Sequence, residues 1–260
     1  MNEKINEVQN ILTNPVANRL AMKVYVKELC NYNMNLHCGQ CINESVILLS
    51  NWLKEQGVNN DYKSLALQNK YELKKINLFV QVYDCENTQR KKELDTCLKI
   101  NKDLNINGVV YLNVIEIKEK LKFSELFNMT KGYPNDINII ANSDIYFNET
   151  ILESRFIKSN EAWALTRWDY SKNIAKLFYR KDSQDVWVFN GVANVNGGDY
   201  YVGTPGCDNR LAFEIKNSGY DLINPSKRIH AIHLHETNYR TYDKFTKAVE
   251  EPYHFIFPHY

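Results

Sequence analysis

Several stretches of this 260-residue chain hold side chains whose types and spacing could do chemistry. In "IIANSDIYF" (139–147) an apolar run ends at Asn142, Ser143 and Asp144. A carboxylate at the lip of a buried strand can hold a divalent cation and bridge it to phosphate oxygens. The same triplet is also good turn chemistry. In "HAIHLHETNYRTY" (230–242) the spacing puts His233 and His235 on one face of an extended segment and His230 on the other. Paired imidazoles suit a metal, or they are simply half-buried polar groups. Arg240, flanked by Tyr239 and Tyr242, offers a cation on an aromatic surface for a phosphate or a sugar face. In "GTPGCDNRLAFEI" (203–215) a tight loop delivers Asp208 to a helix start, as a helix cap or as a general base. Arg210 can pair with a phosphate or with Asp208. In "DSQDVWVF" (182–189) Asp185 can hold an acceptor or open a strand. Cys30, His37, Cys38 and Cys41 include a CxxC, but no second closely spaced pair completes a zinc knot, so buried thiols in a helical hairpin are the better reading.

Elements that would position these residues are visible in the hydrophobic pattern. Residues 1–72 read as a helical N-terminal extension, with apolar spacing near 3.6 broken at Pro15 and a Gly stop at Gly57. Residues 73–260 change to strand and helix in alternation. "INLFVQVY" (76–83), "GVVYLNVI" (108–115) and "INIIANSDIYF" (137–147) read as three strands, with helices over 88–106 and 123–133 between them. That alternation predicts an α/β fold, a mostly parallel sheet flanked by helices, with ligands at the carboxyl ends of the strands. Asp84, Glu86 and Asp144 fall at such ends. Further on, 161–169, 175–180 and 185–191 read as strands, 207–220 as a helix and 228–236 as a late strand.

The bulk composition narrows the class. Apolar residues make up 44% and charged residues 24%, as in a globular protein, with 17 Tyr and 11 Phe. Opposed totals of 32 basic and 31 acidic residues leave a net charge of +1, so no global field directs the chain to nucleic acid or membrane. No apolar run reaches the ~18 residues of a membrane span. The start "MNEKINEVQN" lacks a signal-peptide pattern, and the six Cys read as reduced thiols, so the expected compartment is the cytoplasm.

Taken in order, "NSDIYF", "ALTRWD", "GTPGCDNRLAFEIKNSGY" and "NPSKRIHAIHLH" resemble a GT-A glycosyltransferase over about residues 76–240. The resemblance implies a Rossmann-like GT-A sheet and a nucleotide-sugar donor. It implies a Mn2+ or Mg2+ ion on the diphosphate, held by Asp144 with His235 or His233, with Asn142 standing where the family's first Asp is usual. It implies Asp208 as the base of an inverting transfer to an acceptor hydroxyl. With strand-end geometry it also implies Asp84 and Glu86 facing the nucleoside and Arg90 near base or ribose. "LHCGQCINESVILLSNWL" is similar in texture to bacteriophage-encoded proteins, which makes a hydroxylated DNA base, beside a glycan, an expected acceptor and a host cytoplasm the setting. The clusters Lys74-Lys75, Arg90-Lys91-Lys92 and Lys118-Lys120-Lys122 then read as a phosphate-tracking face or as solvated helix charge.

Two competing classes remain. A nucleotidyltransferase shares the α/β plan and a cation, but it usually carries a Gly-rich loop after its first strand, and "DCENTQRKK" has no Gly. A non-catalytic binding protein on a degenerate fold accounts for the missing first Asp.

Overall fold

The computed structural model describes residues 2–15, 18–34, 36, 39–58, 74–106, 109–110, 112–171, 174–237, 239 and 247–259. Two compact units divide the chain, Met1–Leu73 and Lys74–Tyr260. In the first, α1 (Asn2–Thr13), α2 (Arg19–Cys30) and α3 (Gly39–Glu55) close on Val8, Met22, Val26, Ile42, Val46, Leu49 and Leu53. Pro15 falls between α1 and α2, where its missing N–H costs no helix bond. Asn31, at φ 52°, ends α2 in the left-handed conformation that Asn tolerates. Cys30 and Cys41 form no disulfide among the described residues; His37 and Cys38 lie outside them.

The second unit is α/β, with a short antiparallel pair, Asn105–Ile106 (β2) and Val109–Val110 (β3), apart from its larger sheets. Its main sheet has six strands in the order Asp221–Ile223 (β11), Glu161–Leu165 (β7), Val186–Asn190 (β10), Ile137–Ala141 (β5), Ile76–Gln81 (β1) and Leu112–Ile117 (β4). β1 lies parallel to both β4 and β5, and β11 parallel to β7; β10 runs antiparallel between β5 and β7. Consequently the carboxyl ends of β1, β5 and β7 and the start of β10 share one edge. The register is pinned by polar side chains that only one alignment satisfies. Asn113 donates to Asn77 Oδ1 at 2.8 Å, Asn77 donates to Asn138 Oδ1 at 3.0 Å, and Asn138 donates to Gly191 O at 2.8 Å. A slip of one residue would bury these amides unpaired.

Successive residues of each strand feed opposite faces. Phe79, Ile140, Trp187 and Phe189 pack with Phe123, Leu126 and Phe127 of α5 (Phe123–Thr130) and with Leu211, Ala212 and Ile215 of α6 (Cys207–Asn217). On the other face, Leu78, Ile139, Val188 and Leu165 meet Ile145, Phe147, Ala231 and the 3-10 turn at Ile151–Leu152.

That second face corrects the expectation for 137–147. One continuous strand is predicted there, whereas the chain turns at Asn142–Asp144, and Ile145–Phe147 (β6) enters a second sheet, ordered β6, Ala231–His233 (β12), Trp168–Ser171 (β8) and Ile174–Leu177 (β9). The polar triplet makes the turn: Ile145 N donates to Asn142 O at 3.2 Å, and Ser143 Oγ donates to Gln81 O at 2.6 Å. Likewise 161–169 breaks after Leu165, and its two halves join different sheets. The late strand is shorter than the predicted 228–236, spanning Ala231–His233. Among the described residues no helix is long and apolar enough to cross a membrane.

Candidate metal centre and carboxylate pair

Where the two sheets meet, the small sheet's register sets three acidic or imidazole residues side by side. His233 of β12 is the cross-strand partner of Ile145 on one side and of Asp169 on the other. Leu234 N donates to Asp144 O at 3.0 Å, which locks the residue after His233 to the turn. Ligand atoms of Asp144, His233 and His235 all lie within 4.8 Å of one another. His233 Nε2 is 3.1 Å and His235 Nδ1 3.7 Å from Asp144 Oδ2. His230 turns away, its ring 4.4 Å from that of Trp168, as the alternation of an extended segment requires.

Two imidazoles and a carboxylate with close donor atoms fit a divalent transition ion. Nitrogen donors favour Mn2+, Fe2+ or Zn2+ over Mg2+, which prefers oxygen and water.

Burial alone would raise the Asp144 carboxyl. The hydrogen bond and charge of His233, together with Arg90, outweigh it and hold the group well below the usual carboxylate range. Burial lowers His233, but the Asp144 carboxylate prevails and raises it. His235 is lowered by burial and by the Arg90 charge.

Arg90 is placed differently from the expectation. It lies in the first turn of α4 (Thr88–Lys102), capped by Asn87, and its side chain is buried. Nη2 donates to Asp144 Oδ2 at 2.5 Å; Nη1 donates to Glu93 Oε2 at 2.9 Å and to Leu234 O at 3.2 Å. Its side chain is an internal counter-ion to Asp144 and Glu93. It also leaves the Arg90-Lys91-Lys92 run without a uniform basic face, because Arg90 turns inward and Lys91 pairs with Asp84. Glu93 in turn accepts from Glu236 N at 3.1 Å and from Thr237 N at 3.0 Å, fastening the segment that carries His235 to the helix. Asp84 and Glu86 are exposed beyond β1. Arg240 lies outside the described residues.

The second group stands at the start of β10. Asp185 is buried and accepts from Asn142 Nδ2 at 3.0 Å, and Arg167 Nη1 is 3.4 Å from it. Asn142 is thereby committed to Asp185. Burial, only partly offset by Arg167, raises the Asp185 carboxyl. Asp208 feels that neighbouring charge: burial and then Asp185 push it up to about 7. Asp208 is not the helix cap. Gly206, at φ 77°, fills that position, which leaves Asp208 inside the first turn of α6 with the Cys207 thiol donating to it at 3.2 Å. The carboxylate that Arg210 pairs with is Glu214, its Nε donating to Oε1 at 2.7 Å.

Glu214 also accepts from Gly198 N at 2.7 Å and from Tyr200 Oη at 2.8 Å, so α6 grips the loop that leads to Asp208. A Cβ at Gly197, where φ is 131°, would overlap the Glu214 carboxylate. Gly197→Ala is therefore expected to destabilise the protein by about 1–3 kcal/mol, read as a Tm lower by roughly 3–10 °C in a scanning calorimeter.

Arg167, Asp169 and Glu93 escaped the sequence reading. Arg167 and Asp169 alternate within "ALTRWD", and Glu93 is three residues from Arg90 on one helix face, but their partners come from strands and a tail far away in sequence. Comparison of the chain with protein-family models finds no match, and comparison with curated proteins finds none at a meaningful level.

Proposed function

We propose that the unit 74–260 is a metal-dependent, GT-A-like glycosyltransferase that moves a sugar from a nucleotide-sugar donor to an acceptor hydroxyl, on a glycan or a hydroxylated DNA base. The observation that carries this reading is the convergence of Asp144, His233 and His235 at the carboxyl edge of the parallel strands. Asp185, an immediate neighbour of Asn142, brings the Asp185–Asp208 pair to the same edge.

A Mn2+ ion held by Asp144, His233 and His235 would supply positive charge to the diphosphate leaving group. The remaining chemistry belongs to the chain. As the bond between the anomeric carbon and the phosphate oxygen breaks, its electron pair stays on the diphosphate. The acceptor oxygen bonds to the opposite face of that carbon, inverting it. Asp208, with an affinity for protons near neutrality, takes the hydroxyl proton as the bond forms. Asp185 and Arg167 beside it orient the acceptor.

The test is titration calorimetry with Mn2+, followed by product analysis with a panel of nucleotide sugars. Mn2+ binding that tightens a nucleoside diphosphate, Mg2+ binding more weakly, and sugar release only with metal are the expected results. A second reading has one contact in its favour: Arg90 already neutralises Asp144, as in a purely structural ion network. Absence of any Mn2+ heat would select it.

A further inference from the structure

Asp169 stands outside the three candidate ligands, yet it touches one of them in a telling way. Its Oδ1 lies 3.1 Å from His233 Nδ1, while Nε2 of the same ring lies 3.1 Å from Asp144 Oδ2. The strand pairing makes the contact obligatory, since His233 and Asp169 are register partners in adjacent parallel strands. Asp169 is itself held: Arg167 Nε donates to its Oδ1 at 2.8 Å. The Arg167 guanidinium lies 4.2 Å from the Phe178 ring centre and reaches Ser183 Oγ at 3.1 Å and Asp185 at 3.4 Å. This arginine braces the Asp169 carboxylate beside His233.

An imidazole binds a cation through an unprotonated nitrogen, and the partner of the other nitrogen decides which one that is. We propose that Asp169 is the positioning residue of the cation site. It keeps the His233 proton on Nδ1, so that Nε2 turns its lone pair toward the ion beside Asp144. Arg167 anchors Asp169 from the side of Asp185 and so joins the cation site to the carboxylate pair. The inference rests on the reading of Asp144, His233 and His235 as a metal centre.

The experiment uses the full chain and Mn2+ alone, counting free ion by its electron paramagnetic resonance signal, with nitrogen-15 NMR of the imidazoles to read the His233 tautomer. The Asp169 side chain is 43% exposed, so neither Asp169→Ala nor Asp169→Asn should disturb folding. Asp169→Ala is expected to weaken Mn2+ by about 10–100-fold and, at a pH high enough for the His233 ring to be neutral, to move the metal-free proton from Nδ1 to Nε2, where Asp144 accepts it. Asp169→Asn, which retains a carbonyl acceptor for Nδ1–H, should restore both. Wild-type affinity in Asp169→Ala overturns the inference and leaves the metal centre standing. An Asn variant as weak as the Ala variant also overturns it, because charge and not orientation would then be at work. A wild-type chain that binds no Mn2+ removes the metal centre itself and the inference with it.

Discussion

Asp144→Asn is expected to lose Mn2+ binding and to lower sugar transfer by about a hundredfold to a thousandfold, the range for removing a preorganised electrostatic partner. The substitution keeps the shape of the side chain and removes its charge. Asp144 is the only carboxylate among the three candidate ligands, and the nearby Asp169 and Glu93 are paired with Arg167 and Arg90. Asparagine is the informative change because Arg90, with a side chain only 6% exposed, keeps an oxygen to donate to. Asp144→Ala would instead leave a buried guanidinium short of a partner, and breaking such a pair costs about 3–5 kcal/mol. Calorimetric Mn2+ titration and a coupled assay for released nucleoside diphosphate check the result. Unchanged metal binding in the Asn variant would take Asp144 out of the site.

Asp208→Asn carries the second large effect, a fall in kcat of about 10²–10⁴-fold with little change in KM for the donor. As a base, Asp208 works ionised. Because burial and the Asp185 charge raise it to about 7, transfer in the native chain should climb with pH through neutrality, and the Asn variant should lose that rise. Stability runs the other way. Between the ordinary Asp value and about 7, the folded chain holds a proton that the unfolded chain has already released. The stabilisation that this proton represents is complete below the unfolded value and is lost as pH rises through about 7. Urea unfolding at pH 5 and pH 8 should therefore favour the lower pH in the native chain more than in Asp208→Asn. A pH–rate profile with its limb intact in the variant would assign the proton transfer elsewhere.

How much of this was legible in the sequence differs from residue to residue. Alternating apolar runs foretold the parallel core around β1, because each strand buried on both faces reads as a continuous apolar stretch. Period-two spacing foretold that His233 and His235 would share a direction and His230 would not. Strands were read at 161–169, 175–180 and 228–236, overlapping β8, β9 and β12, but their pairing with β6 in a separate small sheet was illegible, since strands of three or four residues take their partners from distant segments. The burial of Arg90 was illegible for a related reason. A charged residue in a polar helix looks solvated until the tail that covers it is in place. Asp208 looked like a cap because Asp commonly is one; the left-handed Gly206 took that position and left the carboxylate for other work.

The clamp between α4 and the segment after His233 has a bearing on how the molecule is made. Glu93 meets Thr237 across 144 residues, and Asp144 meets His233 across 89. A ribosome releases the six-stranded sheet's residues before it releases either imidazole, so a nascent chain carries Asp144 long before the His233 that pairs with it. A chain ended between Ile223 and His230 would hold every strand of the main sheet and lack His233, His235 and Thr237, so that Asp144 and Glu93 would be without those partners.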